Sequence, residues 1–390
     1  METDTYTWWA EIAENILNGK LSDPYHDLTL EGLFYDRWRL QPPFAMWWYT
    51  LNYTLYGLNP FYWRLLNLLI EFGIVYVMYK IFSELQIDER YFKIGFAFYI
   101  FSILPIHAIT LYANYIAFPV LLGLLGVLFY LKSRTDENYL YLSILCFTLN
   151  ALSAFYGTVW LLGILLLLLF RRDFNLLIIV LTEIAAIFCI VCFPFLMHDA
   201  IGFLQRLTWI LQLAPLEQMF TTIWLIDIEF ITYVPAIFAI ILTAIYVYKN
   251  RNREISIEFF IIILSIFLIF TPAFGPYYLL WLIPLISINI IYSFRKFITT
   301  HLFFIIYFYI TYFLVAYAIV LYSPSTHGWA GLLNYMTEIG LTKITQIFGQ
   351  IFFQLGLIYL IYSYTKQKFW VYTLITPFII YHTIFLLFGV

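Results

Sequence analysis

Residues 174–196 read FNLLIIVLTEIAAIFCIVCFPFL, a run in which Glu183 is the one charged side chain. About 20 apolar residues are what a helix needs to cross the hydrocarbon core of a bilayer, roughly 30 Å thick. The run is too long for a buried strand and shows no polar–apolar alternation. It therefore predicts a membrane-spanning helix. Comparable runs recur outward from it in both directions, at about 61–82, 92–110, 115–131, 139–152, 155–170, 228–248, 257–271, 277–293, 300–321, 346–363 and 369–388. The runs 139–152 and 257–271 are short for a crossing, and the pair 139–170 can be counted as one span or two. Taken at face value the pattern predicts an all-α, polytopic protein of about twelve transmembrane helices, with both termini on one side.

Composition agrees. The 390 residues are 63% hydrophobic, 22% aromatic and only 11% charged, whereas a soluble domain is about 45–50% apolar and about 25% charged. Disorder and a disulfide scaffold are excluded by the same numbers. Cys146, Cys189 and Cys192 all sit in apolar runs with no CxxC pair, so buried thiols without redox or metal roles are expected. His26, His107, His198, His301, His327 and His382 are scattered, with no pair at i,i+4 to suggest zinc. Walker and dinucleotide-binding glycine patterns are missing, and no basic stripe exists for nucleic acid.

Charge placement gives orientation. Alternate connections, with Lys80 at a span end, hold every Lys and Arg except Lys20, Arg37, Arg39, Arg64, Arg206 and Lys343. Basic residues accumulate on the cytoplasmic side, so those connections face the cytoplasm and both termini face away from it. The non-cytoplasmic side then holds the large polar segments 1–60, 197–227 and 322–345. Loops of that length usually serve a function. The expected layout is an outer-face loop over 1–60 and a transmembrane bundle over 61–390. A polar start on the outer side is awkward to translocate, which suggests a further helix upstream.

The outer segment 1–60 has structure of its own. Residues 5–18 predict a helix with Trp8, Trp9, Ile12, Ala13, Ile16 and Leu17 on one face, closed by Asn18-Gly19. Pro42 and Pro43 open a second helix over 44–56 that ends at Gly57. It is too short to span, so both helices are expected to lie at the membrane interface. Asn52-Tyr53-Thr54 is a glycosylation-type sequon within it.

Three stretches carry a resemblance. They are Asp4-x-Tyr6 through Ile16-x-Asn18-Gly19-Lys20 to Pro24-Tyr25, then Gln41-Pro42-Pro43 through Gly57 and Pro60 to Arg64-Leu65-Leu66-Asn67, and Pro272 through Tyr277-Tyr278 and Trp281 to Pro284. Together they resemble the GT-C superfamily of membrane glycosyltransferases, and within it the polyprenyl-phosphate-mannose-dependent branch that includes the GPI mannosyltransferase I. The resemblance covers the plan of the chain to about residue 295. It implies a lipid-phosphate sugar donor, with a hexose, mannose by the branch, moved to a lipid-linked, glycolipid or protein acceptor at the non-cytoplasmic face by inverting displacement. The expected location is a prokaryotic plasma membrane or the endoplasmic reticulum. Many relatives carry an Asp in the second short outer loop, where this chain reads Tyr112-Ala113-Asn114-Tyr115. No cofactor is implied, and a divalent cation is compatible but not indicated.

Sugar transfer needs a carboxylate to take the acceptor proton, cations for the leaving phosphate and aromatic surface for sugar and lipid. The resemblance makes Asp4 the first candidate base. Asp23 and Asp27 are alternatives, with Glu31 and Asp36 in the same segment. Arg37, Arg39 and Arg206 are candidates for the donor phosphate, since a planar guanidinium suits a bidentate contact; snorkelling to headgroups is the simpler role for Arg37 and Arg39. His26, Gln41, Glu217, Tyr277 and His327 complete the expected substrate-binding set. Arg64 and Glu71, at i,i+7, are expected on one interior-facing side of the first span, and His198-Asp199 begins the second outer loop as a turn. A transporter or flippase of an amphiphilic solute, or a non-catalytic subunit of a glycosylation complex, are the competing readings.

Overall fold

The computed structural model describes residues 4–19, 42–57, 59–102, 116–154, 157–213, 234–270, 280–289 and 354–376, and among them the regular structure is helical, with no strand. In order these are α1 (Asp4–Leu17), α2 (Pro43–Tyr56), α3 (Pro60–Glu84), α4 (Glu89–Phe101), α5 (Ala117–Lys132) and α6 (Asn138–Ser153). Then follow α7 (Thr158–Arg171), α8 (Phe174–Leu213), α9 (Val234–Asn250), α10 (Ile257–Phe270) and α11 (Ile283–Ile288). Residues 354–365 and 368–376 are also helical. The chain forms two compact units, one of Met1–Gln212, Ala244–Phe260 and Ile283–Asn289, the other of Leu213–Thr243, Ile261–Leu282 and Ile290–Val390.

Local chemistry sets the helix ends. Gly19 closes α1 at φ +77° and Gly57 closes α2 at φ +58°, both in the left-handed region that glycine enters without a Cβ penalty. Pro43 and Pro60 occupy first-turn positions, where a missing N–H costs nothing. The Asn59 side chain accepts the Phe61 N–H at 3.0 Å, and Asp88 accepts that of Arg90 at 2.8 Å. The expected pair of runs in 139–170 is two separate helices, α6 and α7. The expected spans 300–321 and much of 277–293 and 369–388 fall outside the described residues.

The first unit is built on close helix contact. In the antiparallel pair α5–α6, Ser143 Oγ donates to the Gly126 carbonyl at 2.8 Å and the Asn150 amide donates to the Pro119 carbonyl. Gly123 and Gly126 permit this approach. A Cβ on Gly123 would lie 2.3 Å from Trp160 Cζ3, and one on Gly126 would lie 2.5 Å from Phe147 Cε1. Small residues at such crossings are what membrane helices use to pack backbone against backbone. Trp160 in turn donates to the Phe260 carbonyl at 3.1 Å, and the Phe147 ring lies 5.6 Å from Trp160 and 5.7 Å from Phe260.

Two described helices are long and apolar enough to cross a membrane, Phe61–Glu84 and Phe174–Ile201. Both turn large apolar side chains outward, Leu65, Leu69, Phe72 and Tyr76 on α3 and Ile178 and Phe193 on α8. At 1.5 Å per residue, α5, α6, α7 and α10 are about 21–24 Å long, short of a full hydrocarbon core. Three expectations need correction. Cys189 is exposed, since the outward face of α8 carries it, while Cys146 and Cys192 are buried. Arg64 is exposed and Glu71 half-buried, so the i,i+7 spacing does not bring Arg64 inside. Asn52 of the sequon is buried and donates to the Trp48 carbonyl at 2.7 Å, one helical turn away, so its amide is not presented for modification.

Candidate functional site

Two polar-to-aromatic ends organise the first unit. At one end, the connections α5–α6, α7–α8 and α9–α10 meet. Arg134 pairs with Glu254 at 2.8 Å and donates to the Ile255 carbonyl. Arg171 donates to the carbonyls of Arg251 at 2.7 Å and Arg253 at 2.9 Å. All three connections belong to the basic set in the sequence. The guanidiniums satisfy carbonyls in the turn after α9 that no helix serves.

α2 lies against the opposite helix ends. Trp48 stacks on Phe118 in the first turn of α5, with centroids 3.9 Å apart and planes 6° apart. Phe44 meets the same ring at 5.7 Å. Tyr49 stacks with Trp63, in the first turn of α3, at 6.5 Å, and the Trp63 indole donates to the Gly57 carbonyl at 2.9 Å. On the far side the Trp47 indole donates to the Val191 carbonyl of α8 at 3.0 Å, and its ring lies 5.3 Å from Phe195. Pro194, three residues further on, has no N–H for the ladder, so the Ile190 carbonyl beside Val191 lacks its usual helical donor. Beyond Pro194, Asp199 (φ −156°, ψ 86°) breaks α8 into two helices, a kink inside the helix where a turn at the start of the outer loop was expected. Phe203, just past the break, stacks on Phe195 at 5.9 Å.

α1 packs along α2, burying Ala10, Ile12, Ala13 and Ile16 toward a face of α2 that buries Ala45, Met46 and Tyr49. Alanine at three of these positions keeps the meeting faces shallow. Asp4 is the first residue of α1, and Arg206 lies one turn past Phe203 in the last part of α8; for both the backbone alone is described. Helices carrying Asp4 and Arg206 are thus joined through α2, by the α1–α2 contact and by Trp47–Phe195–Phe203. Asp23, His26, Asp27, Glu31, Asp36, Arg37, Arg39, Gln41, Glu217, Tyr277 and His327 lie outside the described residues. Sequence reasoning registered the Trp and Tyr of α2 but not their partners. Phe118, Phe195 and Phe203 are ordinary apolar letters until the fold brings them to one end. Among the described residues no three His, Cys, Asp or Glu side chains group as metal ligands.

The chain matches no family model, no curated protein and no solved structure.

Proposed function

We propose that this protein is a multi-pass membrane glycosyltransferase of GT-C type, moving a hexose, mannose in the first instance, from a polyprenyl-phosphate donor to an acceptor hydroxyl at the non-cytoplasmic face. What supports the reading is one arrangement. The helix that begins at Asp4 packs on the aromatic helix α2, and α8 meets α2 at Val191 and Phe195, before the break at Asp199 beyond which it carries Arg206, at the end of the unit opposite the basic connections. A base, a phosphate-binding cation and an aromatic surface are the three requirements of the chemistry.

In this account Asp4 takes the proton of the acceptor hydroxyl as the oxygen attacks the anomeric carbon. The first turn of a helix suits it, because the macrodipole there favours a carboxylate. The bond to the lipid phosphate breaks on the opposite side, the phosphate leaves with the electron pair, and the anomeric centre inverts. Arg206, with Arg37 or Arg39, steadies the departing phosphate. The twelve-span plan, with its basic connections in the cytoplasm, is part of the same proposal.

Arg206 gives the sharper binding test. In a transfer assay with labelled polyprenyl-phosphate mannose, Arg206→Ala raises the donor KM at least tenfold, while Arg206→Lys restores part of the loss. Unchanged donor KM in Arg206→Ala removes Arg206 from the donor site.

A further inference from the structure

The turns at the basic end of the first unit carry more positive charge than the protein itself neutralises. The α7–α8 and α9–α10 connections, residues 171–173 and 249–258, hold five cations against three acids. One of those acids, Glu254, is paired with Arg134 of a third connection. Another, Asp173, accepts the Leu176 N–H at 3.3 Å in the first turn of α8. Among the described residues, Arg171, Arg172, Arg251 and Arg253 meet no carboxylate at ion-pair distance.

The fold gathers these charges. Arg171 donates through Nε and Nη2 to the carbonyls of Arg251 and Arg253, which fixes the backbone of both at its guanidinium. The Phe170 and Tyr248 rings, 5.5 Å apart, hold the last turns of α7 and α9 together. Arg251 lies over the Tyr248 ring at 4.0 Å and donates to the Tyr248 carbonyl at 2.9 Å. Arg172 closes α7 at φ 62°, ψ 28°, the left-handed position that glycine ordinarily fills, and is exposed. Apolar surface begins two residues further on. Phe174, Ile178 and Leu181, at i, i+4 and i+7 along α8, form one stripe and are 54%, 62% and 46% exposed.

We propose that this end of the unit binds an anionic phospholipid, with the headgroup phosphodiester at the Arg172 and Arg251 guanidiniums beside Arg171 and an acyl chain along Phe174, Ile178 and Leu181. A guanidinium offers paired donors to phosphate oxygens and gives up its hydration more readily than an ammonium. Charge complementarity calls for an anion, since these arginines have no carboxylate of their own. The apolar stripe that starts beside Arg172 singles out a lipid, because a soluble phosphate would leave it uncovered. Basic surface at the membrane face of a helical bundle recognises acidic headgroups in this way. The site is independent of the transferase reading and lies at the end of the unit away from α2.

The test uses the full-length protein in a neutral detergent, with thermal unfolding followed as phosphatidylglycerol, phosphatidylcholine or inorganic phosphate is added. The wild type shows a saturable rise in midpoint with phosphatidylglycerol and none with the other two. Arg172→Gly removes the charge and relieves the left-handed backbone. It is therefore no less stable without lipid, yet needs roughly fivefold more phosphatidylglycerol for half-saturation, the effect of one cation near an anionic surface. Adding Arg251→Gln shifts half-saturation again by about the same factor. Lys93→Gln, which removes a cation already paired with Glu89 at 2.9 Å, leaves the response unchanged. No rise with phosphatidylglycerol in the wild type, or an undiminished rise in the double variant, overturns the site. An equal shift in Lys93→Gln does so too, by showing diffuse surface charge only, and an equal rise with inorganic phosphate overturns lipid as the occupant. If the double variant does not fold, unchanged half-saturation in Arg172→Gly decides against the proposal.

Discussion

At the residue scale, the account rests on a few side chains whose neighbours are known. Trp47 ties α2 to α8 through a single indole hydrogen bond at 3.0 Å. Trp47→Phe keeps most of the ring contact and removes the donor, so it should cost about 0.5–1.5 kcal/mol in stability, the net worth of such a bond. Denaturant unfolding of the two proteins side by side measures it. Gly123→Ala is expected to cost more, about 1–3 kcal/mol, because its Cβ would meet the buried Trp160 ring at 2.3 Å in a filled core. A glycine at that position matters for what it lacks. Asn52→Gln should leave electrophoretic mobility unchanged in a glycosylating host, as the buried Asn52 amide already serves the Trp48 carbonyl; a faster-running variant would show that the sequon is used.

Elements show how far the letters alone carry the reading. The first two helices are legible almost to the residue, because their stops are glycines and the start of α2 is a proline pair, features whose backbone preference is independent of context. The kink at Asp199 and the continuation of α8 to Leu213 are not. A polar His-Asp pair after an apolar run reads as the start of a loop, and only tertiary contact, here Phe203 on Phe195, holds a second helix in line. The apolar run 92–110 reads as a full span, and the end of helix α4 at Phe101 is invisible to hydropathy, which counts apolar residues and not their backbone bonds. For the candidate site the sequence supplied residue types and left partners unknown. Aromatic pairs such as Trp48 with Phe118 join positions 70 residues apart, beyond any local spacing rule.

Across the whole molecule, the proposed orientation makes one demand that the first unit meets internally. Connections grouped by the charge rule come together in space through Arg134 and Arg171, and the aromatic helix α2 is at the other end. Orientation can be tested directly with single cysteines placed in a background whose three native cysteines are replaced by Ala. In sealed right-side-out vesicles a membrane-impermeant thiol reagent should label Gly19→Cys and spare Arg253→Cys until the vesicles are opened. The reverse pattern would turn the molecule over and put the α1–α2 platform in the cytoplasm, away from any donor displayed outside.

Glycosyl transfer from a lipid phosphate is the central claim, and its most direct measurement is transfer by the purified full-length protein in lipid. Labelled polyprenyl-phosphate mannose and glucose are offered with a mixed lipid extract as acceptor, wild type beside Asp4→Asn. The account predicts a labelled product from the mannose donor with the wild type and at least a thousandfold less with Asp4→Asn, the loss expected when a base essential to the displacement is removed. Equal product from Asp4→Asn would contradict the assignment of the base, and no product from either donor with folded wild-type protein would contradict the transferase itself.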